Sequence, residues 1–384
     1  MRKIRLSYLC FALLVAGAMM LTACAPAATP APTAAPAQPT AAPAQPTAAP
    51  AQPTAAPTTP PPTTVPTIAP TVAPTIPPAA CAPLASQPAV KAGDLGSPDK
   101  PIEMTFVPSG DTGKIATAGN AIADCLGKIT GLKFNINVGT SYAASIEAMG
   151  AGKAQVGFLN TFSAVAAGAK YGVVPILAVV RNYSTNDVDP DKNLAGQKEP
   201  FYKAEFLANV NSGIKGFSDL KGKTFCFVEP SSTSGYIIPR MILKSKGIDP
   251  DKDFASTQNA GSHNNVAIAV YKGDCDAGVA YVDIRTDKTA NLKATYPDIM
   301  QKVTVFADSD RIPNDGVQVV KDFPPAYTKA LVDAMTAMSA DPGGIAMLKS
   351  LYAATAYVPI DASFYTAFTT LCNAAGPDLC PLPK

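Results

Sequence analysis

The sequence predicts an α/β fold of two lobes, each a mostly parallel sheet flanked by helices. Three observations predict it. Strand-like and helix-like runs alternate along most of the chain. The part that can fold, about Gly96 to Lys384, is too long for one ordinary small domain. The junctions where strands give way to helices are rich in hydroxyl, amide and glycine residues, which suits ligands bound beyond the carboxyl ends of strands.

The elements follow in order. Ile102–Val107 reads as a strand, Pro108–Gly113 as a turn, and a helix continues to about Lys128. Leu132–Val138 alternates as a strand, Gly139–Tyr142 turns, and a helix reaches Met149. Gln155–Leu159 is a short strand whose end, Asn160-Thr161-Phe162-Ser163, opens a helix to Lys170. Val173–Val180 is apolar throughout, as a buried strand requires, and Phe206–Val210 begins another. Lys223–Val228 is a strand, followed by Ser231-Ser232-Thr233-Ser234-Gly235 and a helix over Tyr236–Lys246. In that helix Ile237, Ile238, Met241 and Ile242 form one apolar face, and Gly247 is a natural stop. Gly261-Ser262-His263-Asn264 opens a further helix, and Ala277–Val282 is a strand reaching Asp283.

The Ser231–Gly235 junction is the most telling. A strand that ends in hydroxyls and glycine before a helix gathers unpaired N–H groups and the positive end of the helix dipole at one point. This is the chemistry of an anion pocket. Each junction by itself also has an ordinary explanation, because Ser, Thr, Asp and Asn cap helices.

The ends of the chain indicate export. Arg2, Lys3 and Arg5 precede an apolar run, Leu6–Leu21, which is short for a spanning helix. Leu21-Thr22-Ala23-Cys24 resembles the bacterial lipobox, which implies a signal peptide over 1–23 and a lipid on Cys24. Pro-Thr-Ala-Ala-Pro-Ala-Gln repeats follow, and no charge occurs between Arg5 and Lys91. Residues 24–95 therefore read as a disordered stalk, extended at about 3.1 Å per residue where proline dominates. Taking the three leader charges from 31 basic residues leaves 28 against 29 acidic ones. The mature chain is near neutral, with no basic patch for nucleic acid.

Six cysteines remain after Cys10 and Cys24: Cys81, Cys125, Cys226, Cys275, Cys372 and Cys380. An even number in an exported chain favours disulfides, with fifteen connectivities open. Cys372 and Cys380 could close a local loop. Cys226 and Cys275 lie on runs that could be neighbours, which would leave Cys81 for Cys125. No zinc spacing is present, and the chain has one His.

Glu229–Tyr236, Gly261-Ser262-His263 with Asn264-Asn265, Gly273–Gly278 and Arg311-Ile312-Pro313-Asn314-Asp315 together resemble the phosphonate, phosphite and phosphate-binding proteins of ABC importers. The similarity spans about Ile102 to Tyr357. It implies a periplasmic-binding-protein fold with two hinge crossovers, closing over a small phosphorus oxyanion and handing it to a permease and ATPase. The first lobe is read as 96–209 and 310–384 and the second as 210–309, with crossings near 208–211 and 308–310 as the hinge, and the protein is expected to act as a monomer without cofactor or metal. Ser232, Thr233, Ser234 and Gly235 would hold the oxyanion, His263 would donate to it, and Tyr142 would contact it. Asp315 would accept from a ligand O–H, and Asp283 would meet the organic group. Asn160 and Thr161 stand where many relatives place a Tyr, and Asp283 where a longer Glu can occur. Two other readings remain. The fold also serves TRAP-type carboxylate receptors and ligand sensors. A phosphoester hydrolase would need a nucleophile with a base, and one His without a Gly-x-Ser-x-Gly elbow suits it poorly.

Overall fold

The computed structural model describes residues 81–383. The leader, Cys24 and the proline-rich repeats lie outside the described residues. Down the chain run β1 (Ile102–Phe106), α1 (Thr112–Thr130), β2 (Phe134–Val138), α2 (Tyr142–Gly150), β3 (Val156–Leu159), α3 (Thr161–Tyr171) and β4 (Val174–Asn182). Two short strands, β5 (Lys198–Glu199) and β6 (Phe201–Tyr202), lead into β7 (Ala204–Asn209). Next come β8 (Thr224–Phe227), α4 (Ile238–Ser245), β9 (Ser256–Asn259), α5 (His263–Lys272) and β10 (Ala277–Tyr281). Short helices α6 (Leu292–Thr295) and α7 (Ile299–Lys302) precede β11 (Val303–Asp308), β12 (Ile312–Pro313) and β13 (Gly316–Val319). The chain closes with α8 (Pro325–Ala340), α9 (Pro342–Tyr352), β14 (Ala354–Pro359) and α10 (Thr366–Ala375).

The first sheet has the order β14-β4-β13-β3-β1-β2, with β5 on β4; the second has the order β11-β7-β10-β8-β9. In the first, β1 to β4 share one direction, and β13, β14 and β5 oppose them. In the second only β7 opposes the rest. The sequence reading placed residues 204–209 with the first lobe, but as β7 they sit inside the second sheet. This moves the first crossing from 208–211 to about residue 203. The chain crosses again near 309, where Ala204 N donates to Ser309 Oγ (2.9 Å) and Ser309 N donates to Ala204 O (2.9 Å). The two crossings are thus bonded to each other.

Local sequence explains the main layers. In α1, Ile115, Ile122, Leu126 and Ile129 recur at helical spacing and are buried. Asp111 caps its start, and Gly131, at φ 74°, ends it in the left-handed conformation. That face packs with Met335, Met338 and Leu348 of α8 and α9 over the first sheet. Residues 81–95, expected within the stalk, dock here: Leu84 N donates to Ile129 O (2.9 Å), and Cys81 joins Cys125. The other two disulfides are Cys226–Cys275 and Cys372–Cys380.

Candidate functional site

Strand ends and helix starts from both sheets converge on a cavity of about 120 Å³. Its lining includes Tyr142, Asn160, Ser232, Thr233, Ser234, His263 and Asp315, seven of the ten residues singled out from the sequence. Every one of the seven except Asp315 is buried.

The Ser231–Gly235 junction forms the site's firmest wall. Ser232 caps the helix, its Oγ accepting from Gly235 N (3.2 Å). The first turn, Thr233–Ile237, is wound wider than an α-helix: Ile237 N donates to Ser232 O (3.0 Å). Such π turns occur often at functional sites. The N–H groups of Thr233 and Ser234 lie in a first turn that has no carbonyl of its own to offer them. Pro239 follows at the start of α4.

His263, second wall of the site, begins α5. Its Nδ1 accepts from Tyr281 N (3.1 Å), so Nε2 carries the proton and lies 3.4 Å from Ser232 Oγ. Burial, with Arg181 nearby, pushes its pKa down to about 3. The ring is therefore a neutral donor above that range. Tyr142 follows the cap Ser141 at the start of α2, and burial raises its phenol well above the usual value. It remains a protonated donor, and its Oη has no partner within the protein.

Thr233 also ties together the two sides of the cleft. Its Oγ1 accepts from Asn160 Nδ2 (2.8 Å) and from Phe162 N (2.9 Å), which tie the start of α3 to the junction before α4. A hydroxyl that accepts twice still has its own proton to give to a ligand. Other bonds cross the same cleft: Tyr142 N donates to Glu229 Oε1 (2.8 Å), and His263 N donates to Ser109 O (3.2 Å).

Three expected residues lie outside the cavity lining. Thr161 is fully buried and donates from Oγ1 to Pro313 O (2.6 Å), a structural tie. Gly235 is required by packing, since a Cβ there would come within 2.2 Å of Val228 Cγ2. Asp283, at φ 68°, starts the turn after β10, with Thr286 N and Asp287 N donating to its carbonyl. Burial and the neighbouring Asp287 push its carboxyl up to about 6.

Sequence reasoning missed Arg181, Tyr202, Tyr183 and Tyr352, all in the lining. Arg181 is the penultimate residue of β4, and the five residues before it, Ile176 to Val180, are apolar and buried. A lone charge at the carboxyl end of a buried strand was a usable signal. Its Nε donates to Tyr352 O (2.8 Å), one Nη donates to Asn314 Oδ1, and the other pairs with Asp315 Oδ2 at 2.9 Å. The remaining oxygen of Asp315, Oδ1, is buried with no partner within the protein, as is Asn160 Oδ1. The cavity therefore offers hydroxyl, amide, imidazole and guanidinium donors, together with a few acceptors.

A two-lobed α/β fold, crossed twice by the chain, with a donor-lined cavity at the strand ends, defines a periplasmic-type solute receptor. The chain belongs to the family of ABC-transporter phosphonate periplasmic substrate-binding proteins, whose pattern matches residues 104–365. It is 29% identical over 237 residues to the phosphate-import protein PhnD of Mycolicibacterium smegmatis, covering 57% of this chain and 70% of that one. Among solved structures, a binding component of a Pseudomonas aeruginosa ABC phosphonate transporter aligns with TM-score 0.61 at 20% identity, covering 71% of this chain and 86% of that one. PhnD1 of Prochlorococcus marinus, in complex with methylphosphonate, aligns with TM-score 0.60 at 17% identity, covering 71% and 97%.

Proposed function

We propose that the cavity captures a small phosphorus oxyanion (phosphate, phosphite or a phosphonate) and that the protein delivers it to a membrane permease and its ATPase. Ser232, Thr233, Ser234, His263 and Tyr142 supply donors to the ligand oxygens, and Asp315 Oδ1 accepts from the ligand's remaining O–H. The observation that carries this reading is that unpartnered Asp315 oxygen among donors. An ionised carboxylate can only accept, so it favours an anion that keeps a proton near neutral pH. Sulfate does not keep one, and would leave Asp315 Oδ1 facing another acceptor with no proton between them.

Capture proceeds by closure. The crossings at 203–204 and 308–309 act as the hinge, and the ligand favours the state in which α3 meets the junction before α4. The leader and Cys24 hold the protein by lipid on the outer face of the membrane, and the repeats act as a spacer. A lipid chain contributes roughly 0.8 kcal/mol per buried methylene.

Calorimetry with phosphate, phosphite, methylphosphonate and sulfate tests the reading. Tight binding of at least one phosphorus anion, with sulfate at least about a hundredfold weaker, is expected. Sulfate competing equally would refute the role of Asp315. Turnover of phosphate esters, or preference for a small carboxylate, would replace the reading by one of its rivals.

A further inference from the structure

Arg181 changes what the cavity can accept, and the consequence rests on the oxyanion-receptor reading above. Its guanidinium has five N–H groups. Three are used, on Tyr352 O, Asn314 Oδ1 and Asp315 Oδ2. Two remain, in a group that lines the cavity and lies 5.6 Å from the centre of the Tyr202 ring. Burial opposes its charge, but Asp315 more than offsets that, and the group is held protonated.

Asp315 is therefore not a free negative charge. Its Oδ2 answers Arg181, and only Oδ1 is left to accept. Two further carboxylates line the cavity, Asp111 and Asp287, and both cap local structure. Asp111 Oδ1 accepts from Lys114 N (2.8 Å), and Asp287 Oδ1 accepts from Thr289 N (2.6 Å) and Ala290 N (3.1 Å). Lys114, a second cation, lines the cavity beside them. Asp283, the carboxylate expected to meet the organic part of a ligand, lies outside the lining.

We propose that Arg181 is a specificity-determining residue: it neutralises Asp315 and excludes phosphorus oxyanions whose substituent carries an ammonium, leaving those with an uncharged or oxygen substituent. Arg181 and Lys114 both line the cavity, so a ligand held there shares it with two cations. Like charges repel where water is displaced, and the carboxylate of Asp315 is already committed to Arg181 rather than left to answer an ammonium. An ammonium would also present its donors to the donors of Arg181, whereas a phosphoryl oxygen accepts from them.

Calorimetry on the full chain with phosphate, methylphosphonate and 2-aminoethylphosphonate tests this, together with the variants Arg181→Gln and Arg181→Lys. The wild type is expected to bind 2-aminoethylphosphonate about a hundredfold more weakly than methylphosphonate. Arg181→Gln narrows that ratio at least about tenfold, and Arg181→Lys, which keeps the charge, preserves most of it. A wild-type ratio below about tenfold overturns the proposal, and so does an unchanged ratio in a folded Arg181→Gln protein. If that variant does not fold, the wild-type ratio decides alone. Failure of these three ligands and of phosphite to bind would sink the receptor reading, and this proposal with it.

Discussion

Replacing Thr233 by Ala removes one of the atoms that join the two sides of the cleft. Oγ1 accepts from Asn160 Nδ2 at 2.8 Å and from Phe162 N at 2.9 Å, and the residue is 1% exposed. Without it, Phe162 N is buried unpaired in the closed arrangement, Asn160 Nδ2 keeps only its bond to Ser231 O (2.9 Å), and the ligand loses an O–H donor. A neutral bond contributes about 1 kcal/mol net, and one to a charged acceptor roughly 1.5–3 kcal/mol. Together the change weakens ligand binding by about 2–4 kcal/mol, a factor of roughly 30–1000. Thr233→Ser keeps the oxygen and loses a methyl, so it is expected to cost less than about 1 kcal/mol. Titration calorimetry with whichever phosphorus anion binds best measures both variants. Asn160→Ala combined with Thr233→Ala should cost less than the sum of the singles, because they share a bond. If Thr233→Ala binds within threefold of wild type, or if Ser and Ala behave alike, the latch is not part of binding.

Two further outcomes concern stability. Glu205, on β7, is fully buried, and burial pushes its carboxyl up to about 7 against the pull of Arg285. The folded chain therefore binds this proton more tightly than the unfolded one. The associated stability is complete below the unfolded value, about 4.3, and is lost as pH rises through about 7. Urea unfolding at pH 5 and pH 8 should show the wild type losing more stability over that interval than Glu205→Gln; equal losses would refute the assignment. The Cys226–Cys275 disulfide spans 49 residues of sequence, and on the chain-entropy model replacing both by Ala costs about 4 kcal/mol. A change under about 1 kcal/mol in reversible unfolding would show that the constraint on the unfolded chain does not operate here.

Much of this protein was readable from short-range sequence pattern. Alternation of apolar runs gave most strands and helices up to Asp283 to within a few residues, because period and capping are local properties; β5, β6, β9 and the elements after Asp283 were not read. The junction at Ser231–Gly235 could be recognised for the same reason: cap, first turn and apolar face are adjacent in the chain. The role of Thr233 toward Asn160 could not, since the two are 73 positions apart and meet only when both sheets are in place. Arg181 became part of the site only because β13 and the end of α9 bring Asp315 and Tyr352 to the end of β4. Asp283 stood at the right distance along its strand, but a left-handed turn begins there, and the residue falls outside the cavity lining. Gly235 was read as an oxyanion contact, whereas in the structure the contact with Val228 behind it is what requires a glycine. The sequence by itself determined the elements and the donor-rich junction. The tertiary structure decided which charges share the cavity, because pairing between distant residues depends on how the sheets order their strands.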